Sequence, residues 1–314
     1  MTMRSVALGI SLLLLGLFTA CAAPADEKTP SGDEAPSTVI EVTDQLGRAV
    51  RLEKVPQTII SIAPSNTEIL FALGLGDQVV AVTDYCDYPA EAKEKTSLGS
   101  YITPSMEDIV AISPDLILAT SVHEEEVISA LEKIGMTVLA LDPKTMDEVM
   151  ESIALVGQVT GRQEEAAQVV SGMRARVKAV TDKTNNLADT ERPRVFYVVW
   201  YEPLMSAGAE TFQDDLIGIA GGNNVAGNLT GWITIGLETV VEADPEVMIA
   251  GVNFINIGDL NYQFIETEPR LRDTQARLNN RVFEVDSDLV SRTGPRIVDG
   301  LEKLAQFIHP ELFK

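Results

Sequence analysis

MEDIVAISPDLILA (106–119) is followed, 131 residues further along the chain, by LETVVEADPEVMIA (237–250). Both run apolar-Glu-x-apolar-Val, then a proline, an acid, three apolar residues and an alanine. Apolar residues at helical spacing, a turn and a short continuous apolar run describe a helix feeding a buried strand. Units of this kind are common, so chance similarity competes with duplication. Tyr101 and Trp232, however, keep the same offset ahead of Glu107 and Glu238, which favours a chain built twice.

Working outward, EVTDQLGRAVRL (41–52) alternates around a glycine turn like a hairpin, and TIISIA (58–63) is a β-branched run. SNTEILFALG follows, with Ser65 and Glu68 at the spacing of a capping box and Gly74 closing the apolar face. VVAVT (79–83), DLILA (115–119) and TVLAL (137–141) alternate with helical segments, and RVFYVVW (194–200), EVMIA (246–250) and RVFEV (281–285) repeat the pattern. The expected fold is α/β, with two Rossmann-like lobes, each on a parallel sheet, over residues 38–160 and 190–314. Residues 145–184 contain no proline and carry apolar residues at helical steps, which predicts a helix broken near Gly161 and a long one from about Gln163 to Lys183. A connecting helix within 161–189 makes a stiff joint between the lobes.

The first twenty residues hold one charge, Arg4, and an apolar run from Val6 to Phe18. That run is shorter than the roughly 20 residues a membrane helix needs, so residues 1–20 read as a secretory signal. LFTAC resembles a bacterial lipoprotein processing site with Cys21 as the acylated residue; an ordinary signal with a chance cysteine is the alternative. Residues 21–37 are small, polar and proline-bearing, a flexible tether. The folded part is therefore expected on the outer side of a membrane, at the cell surface or in the periplasm, held by a lipid anchor. A formal charge of −23 excludes nucleic acid as a partner. With Cys86 the other of two cysteines, no disulfide framework forms within one chain.

VTDQLGRAV, IISIAPSNTEILFALGLGDQVVAVTDYCDYP with its Asp87-Tyr88-Pro89, and DSDLVSRTGPR (286–296) resemble segments of the cobalamin, siderophore and heme substrate-binding proteins of ABC importers. The resemblance covers about residues 38 to 314 and is strongest to the cobalamin-binding branch. It implies the class III substrate-binding architecture and a corrinoid as transported ligand, with no resident cofactor or metal. It places Asp288 and Arg292 beside that ligand. It also makes Glu107 and Glu238 the acids, one per lobe, that pair with arginines of a permease dimer whose ATPase subunits hydrolyse ATP. Without the resemblance, both acids are explained by their favourable place at helix N-termini. A monomer is expected.

The cleft is expected at loops after the carboxyl ends of the strands, where Tyr85, Tyr101, Trp200 and Trp232 fall. Flat rings suit a corrin, and core packing is the alternative for each. The cobalamin branch has a small residue where this chain has Trp200. His123, just past DLILA, reads either as an axial nitrogen donor to cobalt or iron or, more commonly, as a solvated loop residue. Cys86 reads as a metal ligand or, more commonly, a buried thiol, and His309 as structural. Two histidines are too few for a zinc or manganese capture site of the related two-lobed family. Heme and ferric siderophores remain alternative cargoes. No G-x-S-x-G, phosphate loop, H-E-x-x-H or CxxC is present, so an enzyme is not expected, and a non-transport secreted protein is the remaining alternative.

Overall fold

The hairpin expected at 41–52 forms from β1 (Ile40–Thr43) and β2 (Ala49–Leu52), paired antiparallel. Its turn uses Gly47 at φ +77°, and the Asp44 carboxylate accepts hydrogen bonds from the Leu46 and Arg48 amides. The structure, a computed structural model, describes residues 39–253 and 259–314. The expected signal, Cys21 and tether lie outside the described residues.

The first lobe continues through β3 (Ile59–Ser61), α1 (Pro64–Ala72), β4 (Val79–Val82), β5 (Thr96–Ser97), α2 (Met106–Ile112), β6 (Leu116–Thr120), α3 (Ser129–Lys133) and β7 (Val138–Leu141). Two helices follow, α4 (Met146–Thr160) and α5 (Gln163–Thr184), separated by Gly161 at φ +71° as the sequence predicts. The second lobe contains β8 (Arg194–Val198), β9 (Trp200–Tyr201), β10 (Leu204–Ala207), α6 (Phe212–Ile219), β11 (Asn223–Asn224), β12 (Trp232–Thr234), α7 (Leu237–Ala243) and β13 (Val247–Val252). It ends with α8 (Leu260–Thr267), α9 (Gln275–Leu278), β14 (Val282–Asp286), α10 (Ser287–Ser291) and α11 (Ile297–Ile308).

The main sheets are parallel, five-stranded in the order β5-β4-β3-β6-β7 and four-stranded in the order β11-β8-β13-β14. β3 and β8 are thus equivalent, as are β6 and β13, the strands of the sequence repeat. The repeat persists in detail. α2 and α7 end at Ser113 (φ 52°) and Asp244 (φ 43°), both left-handed. The repeated acid also serves the same purpose in each lobe. Asp115 Oδ2 accepts from the Gln57 and Thr58 amides ahead of β3 at 2.9 and 3.0 Å, and Glu246 Oε2 accepts from the Arg194 amide at the start of β8 at 3.0 Å. An antiparallel sheet, β12-β10-β9, is an addition of the second lobe that the sequence did not announce.

Strand residues alternate between two kinds of core. Ile59, Leu116 and Leu118 of the first sheet and Val195, Tyr197, Val247 and Ile249 of the second belong to one apolar cluster, continuous through α1, α4, α5, α6 and α11. The intervening residues, Ile60 and Ile117 or Phe196 and Met248, face separate outer cores. Two-sided burial is why these strands read as unbroken apolar runs. Residues 38–314 accordingly form one compact unit. Arg176 of α5 adds a bridge to α11 through Asp299 and Glu302 at 2.5 and 2.6 Å.

The capping box expected at Ser65 and Glu68 does not form. Ala63 is extended and Pro64 occupies the first turn, its preset φ starting the helix earlier, so both residues fall inside α1 and are buried. Glu68 instead crosses to the second lobe. Its side chain is 2% exposed, and Arg296 donates to both of its carboxylate oxygens at 2.6 and 3.0 Å, with Arg292 at 3.6 Å. The Arg296 guanidinium also lies 3.8 Å from the centre of the Tyr88 ring.

Glu68→Ala should destabilise the protein by about 3–5 kcal/mol in urea denaturation, because two guanidinium groups lose their buried partner. Joint Glu68→Met and Arg296→Met should come much closer to the parent; equal costs for the single and joint changes would remove the pair from its bridging role. Asp115 gives a pH signature. Burial opposes its charge, but bonds from the Gln57 and Thr58 amides, the Lys54 ammonium and the Thr58 hydroxyl outweigh this and hold its carboxyl at about 2 against 3.8. Its contribution is complete above pH 3.8 and lost as pH falls towards 2, so Asp115→Asn should flatten that part of the acid-stability curve. Parallel curves would assign the acid sensitivity elsewhere.

Candidate ligand-binding cleft

Parallel sheets direct all their strand ends, and the loops after them, to one edge, and in both lobes those edges border the cleft. Ser65 follows β3, Thr120 and Ser121 end and follow β6, Asp142 and Lys144 follow β7, and Val199 follows β8. Two cavities of about 460 and 560 Å³ result, sharing Ser65, Tyr101 and Ser291. Both sizes lie within the range of small-molecule sites.

Tyr101 from the first lobe and Trp232 from the second line the smaller cavity together. The Tyr101 hydroxyl is 3.3 Å from Thr120 Oγ1, and its ring meets His123 edge-on at 5.1 Å. Burial raises the phenol's pKa, so the ring stays neutral. Trp232 is 49% exposed, its indole edge-on to Phe212 at 6.3 Å. The charges among the described lining residues are a compensated pair, Lys144 Nζ to Asp142 Oδ1 at 2.8 Å, with the Ser121 hydroxyl donating to the same oxygen at 2.5 Å. The cavity is thus aromatic and electrically balanced.

The larger cavity holds Tyr85, 46% exposed, with Asp84, Asp87, Asp288 and Arg292. Arg292 reaches Asp87 at 2.6 Å and Asp288 at 2.8 Å, so the Asp and Arg four residues apart form a pair on one turn, and Arg292 is shared across the lobes. Burial pushes the Asp288 carboxyl up and Asp286 and Asp87 add to this, against the attraction of Arg292.

The remaining candidates divide. Trp200 stands outside both cavities: on β9 its indole nitrogen donates to the Glu202 carbonyl at 2.7 Å and its ring tilts against Tyr201. His123 is neither an available axial ligand nor a solvated loop residue. It is 1% exposed, with Nδ1 3.2 Å from the Thr120 amide and Nε2 2.7 Å from the Tyr101 carbonyl, and burial lowers its pKa. It is the strut that fixes Tyr101. Cys86 is a buried free thiol beside the Thr83 hydroxyl at 3.3 Å, raised in pKa by burial, and His309 caps the end of α11 with Nε2 on the Gly221 carbonyl. Among the described residues no cluster of three or more His, Cys, Asp or Glu is placed to hold a metal, and no helix is long and apolar enough to cross a membrane.

Glu107 and Glu238 each occupy the second position of a repeat helix and are exposed; Glu238 lies 3.3 Å from Arg270. Sequence reading missed Asp142, Lys144, Phe212 and Gln213 in the cleft. Thr211, which caps α6 by accepting from the Asp214 amide, marks a helix start and was the available sign for the last two.

Comparison with known proteins agrees with this architecture. The chain is 31% identical over 312 residues, covering 96% of each, to the uncharacterized ABC transporter substrate-binding lipoprotein YvrC of Bacillus subtilis. It is 28% identical, over 95% of its own length and 84% of the other, to a cobalamin-binding protein of Halobacterium salinarum. Among solved structures, the periplasmic vitamin B12 binding protein BtuF of Vibrio cholerae superposes with a TM-score of 0.71 at 25% identity, covering 83% of this chain and 99% of that one. A possible iron-binding, periplasmic solute-binding protein of Staphylococcus epidermidis superposes equally well, TM-score 0.71 at 28% identity, covering 82% and 100%. The model of the periplasmic binding protein family matches residues 59–289, and with two α/β lobes closing on one cleft the chain belongs to that family.

Proposed function

We propose that the chain is the substrate-binding lipoprotein of an ABC importer, that it is held by acylated Cys21 on the outer side of the membrane, and that its cargo is cobalamin or a related corrinoid. The observation that carries the cargo reading is Tyr101 facing the same balanced cavity as Trp232, one ring from each lobe. A corrin is broad, flat and nearly uncharged, so it matches aromatic area and asks for no buried counter-charge. Asp288, Arg292 and Tyr85 in the adjoining cavity would meet its side arms. The cobalamin-binding relative supports the same choice.

Delivery follows from the duplication. Glu107 and Glu238 present one carboxylate per lobe, and one helical turn on each is followed by an exposed valine, Val110 at 47% and Val241 at 39%. Such a pair of equivalent surfaces fits a permease dimer with basic counterparts. ATP hydrolysis belongs to the partner's ATPase subunits, and no catalytic step is assigned to this chain. Heme or a ferric siderophore is the second reading, favoured by the likeness to the possible iron-binding protein and by the exposed Tyr85 phenol.

Calorimetric titration of the protein beginning at Ala22 with cyanocobalamin, cobinamide, heme and a ferric siderophore should give tight one-to-one binding of the corrinoids. Heat with heme or siderophore alone would overturn the cargo, and silence from all four the transport role. In the same assay Trp232→Ala should weaken corrinoid binding by about 1–3 kcal/mol. For docking, joint Glu107→Lys and Glu238→Lys should abolish uptake in cells and leave the solution affinity unchanged; a collapse of affinity would place those acids in the ligand site.

A further inference from the structure

Gln213, the second residue of α6, is 4% exposed and lines the smaller cavity beside Phe212 and Trp232. Its amide oxygen is buried and meets no donor among the described residues. The other polar side chains at this end of α6 are all engaged. Thr211 donates to the Gly208 carbonyl at 2.7 Å, Asp214 accepts from Asn224 at 2.8 Å, and Asp215 accepts from the Met146 amide across the lobe junction at 2.7 Å. An unpaired buried amide weakens a fold, and methionine or leucine would fill the same space without that cost. Asn66, Gln78 and Asn261 also carry an unpaired buried amide oxygen but line neither cavity; Gln213 lines the smaller one, which is where a partner for its amide can come from.

We propose that Gln213 is a specificity-determining residue whose amide pairs with a primary carboxamide on the periphery of the bound ligand. The inference rests on the corrinoid reading, in which propionamide arms surround the ring. A carboxamide offers one donor and one acceptor in a plane, as glutamine does. The glutamine terminal torsion is broad and roughly two-fold, so either end can be presented and each finds its complement. A carboxylate, as on heme or many ferric chelates, accepts only and leaves the acceptor end of Gln213 unanswered.

The test is calorimetry of the parent, Gln213→Met and Gln213→Glu with cyanocobalamin and with its propionamide monocarboxylic acid derivatives, alongside thermal unfolding of each unliganded protein. Gln213→Met should bind cyanocobalamin about tenfold more weakly while melting at the parent temperature or above. Gln213→Glu, which keeps the shape and loses the donor, should also bind more weakly. One monocarboxylic acid isomer should lose a similar factor against the parent and nothing further against Gln213→Met. Unchanged affinity in both variants overturns the proposal, as does a lower melting temperature for Gln213→Met, which would make the residue structural. A parent that binds no cyanocobalamin removes the corrinoid reading, a result distinct from a parent that binds and variants that match it.

Discussion

A buried carboxylate on α1 of the first lobe, Glu68, holds two arginines of the second, and the cleft depends on that grip. Unpaired charge at such depth is far more costly than a lost surface pair, so the relative placement of α1 and the 292–296 loop is tightly specified. The loop comes so close that a Cβ on Gly294 would stand 3.3 Å from Glu68 and from the Ser65 carbonyl. Asp87 and Tyr88 extend the same joint, one pairing with Arg292 and the other lying under Arg296. The Asp-Tyr-Pro tripeptide is thus a clasp for the second lobe's arginines.

The joint is reinforced by apolar packing. Inward residues of both sheets share one core through α1, α4, α5, α6 and α11, so parting the lobes would expose that surface to water at roughly 25 cal/mol per Å². The long helix is therefore not a lone strut. α5 is bound to α11 by Arg176, whose guanidinium is pushed up in pKa by Glu302, against burial, with Asp299 adding to the effect. Much of the cleft's shape is consequently set by the fold before any ligand enters.

The doubled architecture was legible because duplication preserved both chemistry and spacing, down to the acid that clamps the start of β3 or β8. The break at Gly161 and the long α5 were legible from local rules. The failures share one cause, which is that a side chain's use depends on what the fold brings opposite it. Ser-x-x-Glu satisfied the pattern of a cap, but Pro64 started the helix earlier and Glu68 met arginines from the far end of the chain. His123 lay beyond a strand as a ligand would, yet the Tyr101 carbonyl, 22 residues back, claims one nitrogen. Thr211 could place Gln213 at a helix start but not in the cleft, since a polar residue there reads the same whether it caps, faces solvent or faces a cavity.

Charge is distributed in a way that separates the two proposed tasks. The chain as a whole is strongly acidic, while the smaller cavity contains one compensated pair and the arginine beside it is shared among Asp87, Asp288 and Glu68. A field of one sign over the surface steers encounters with a basic partner and repels anions. An anionic chelate would have to cross that field and then find a free cation in the cleft, and the described arginine there is already held by three carboxylates. A nearly neutral corrinoid meets neither obstacle. The acidity that would bring the lobes to a basic permease surface is, for such a cargo, without cost to capture.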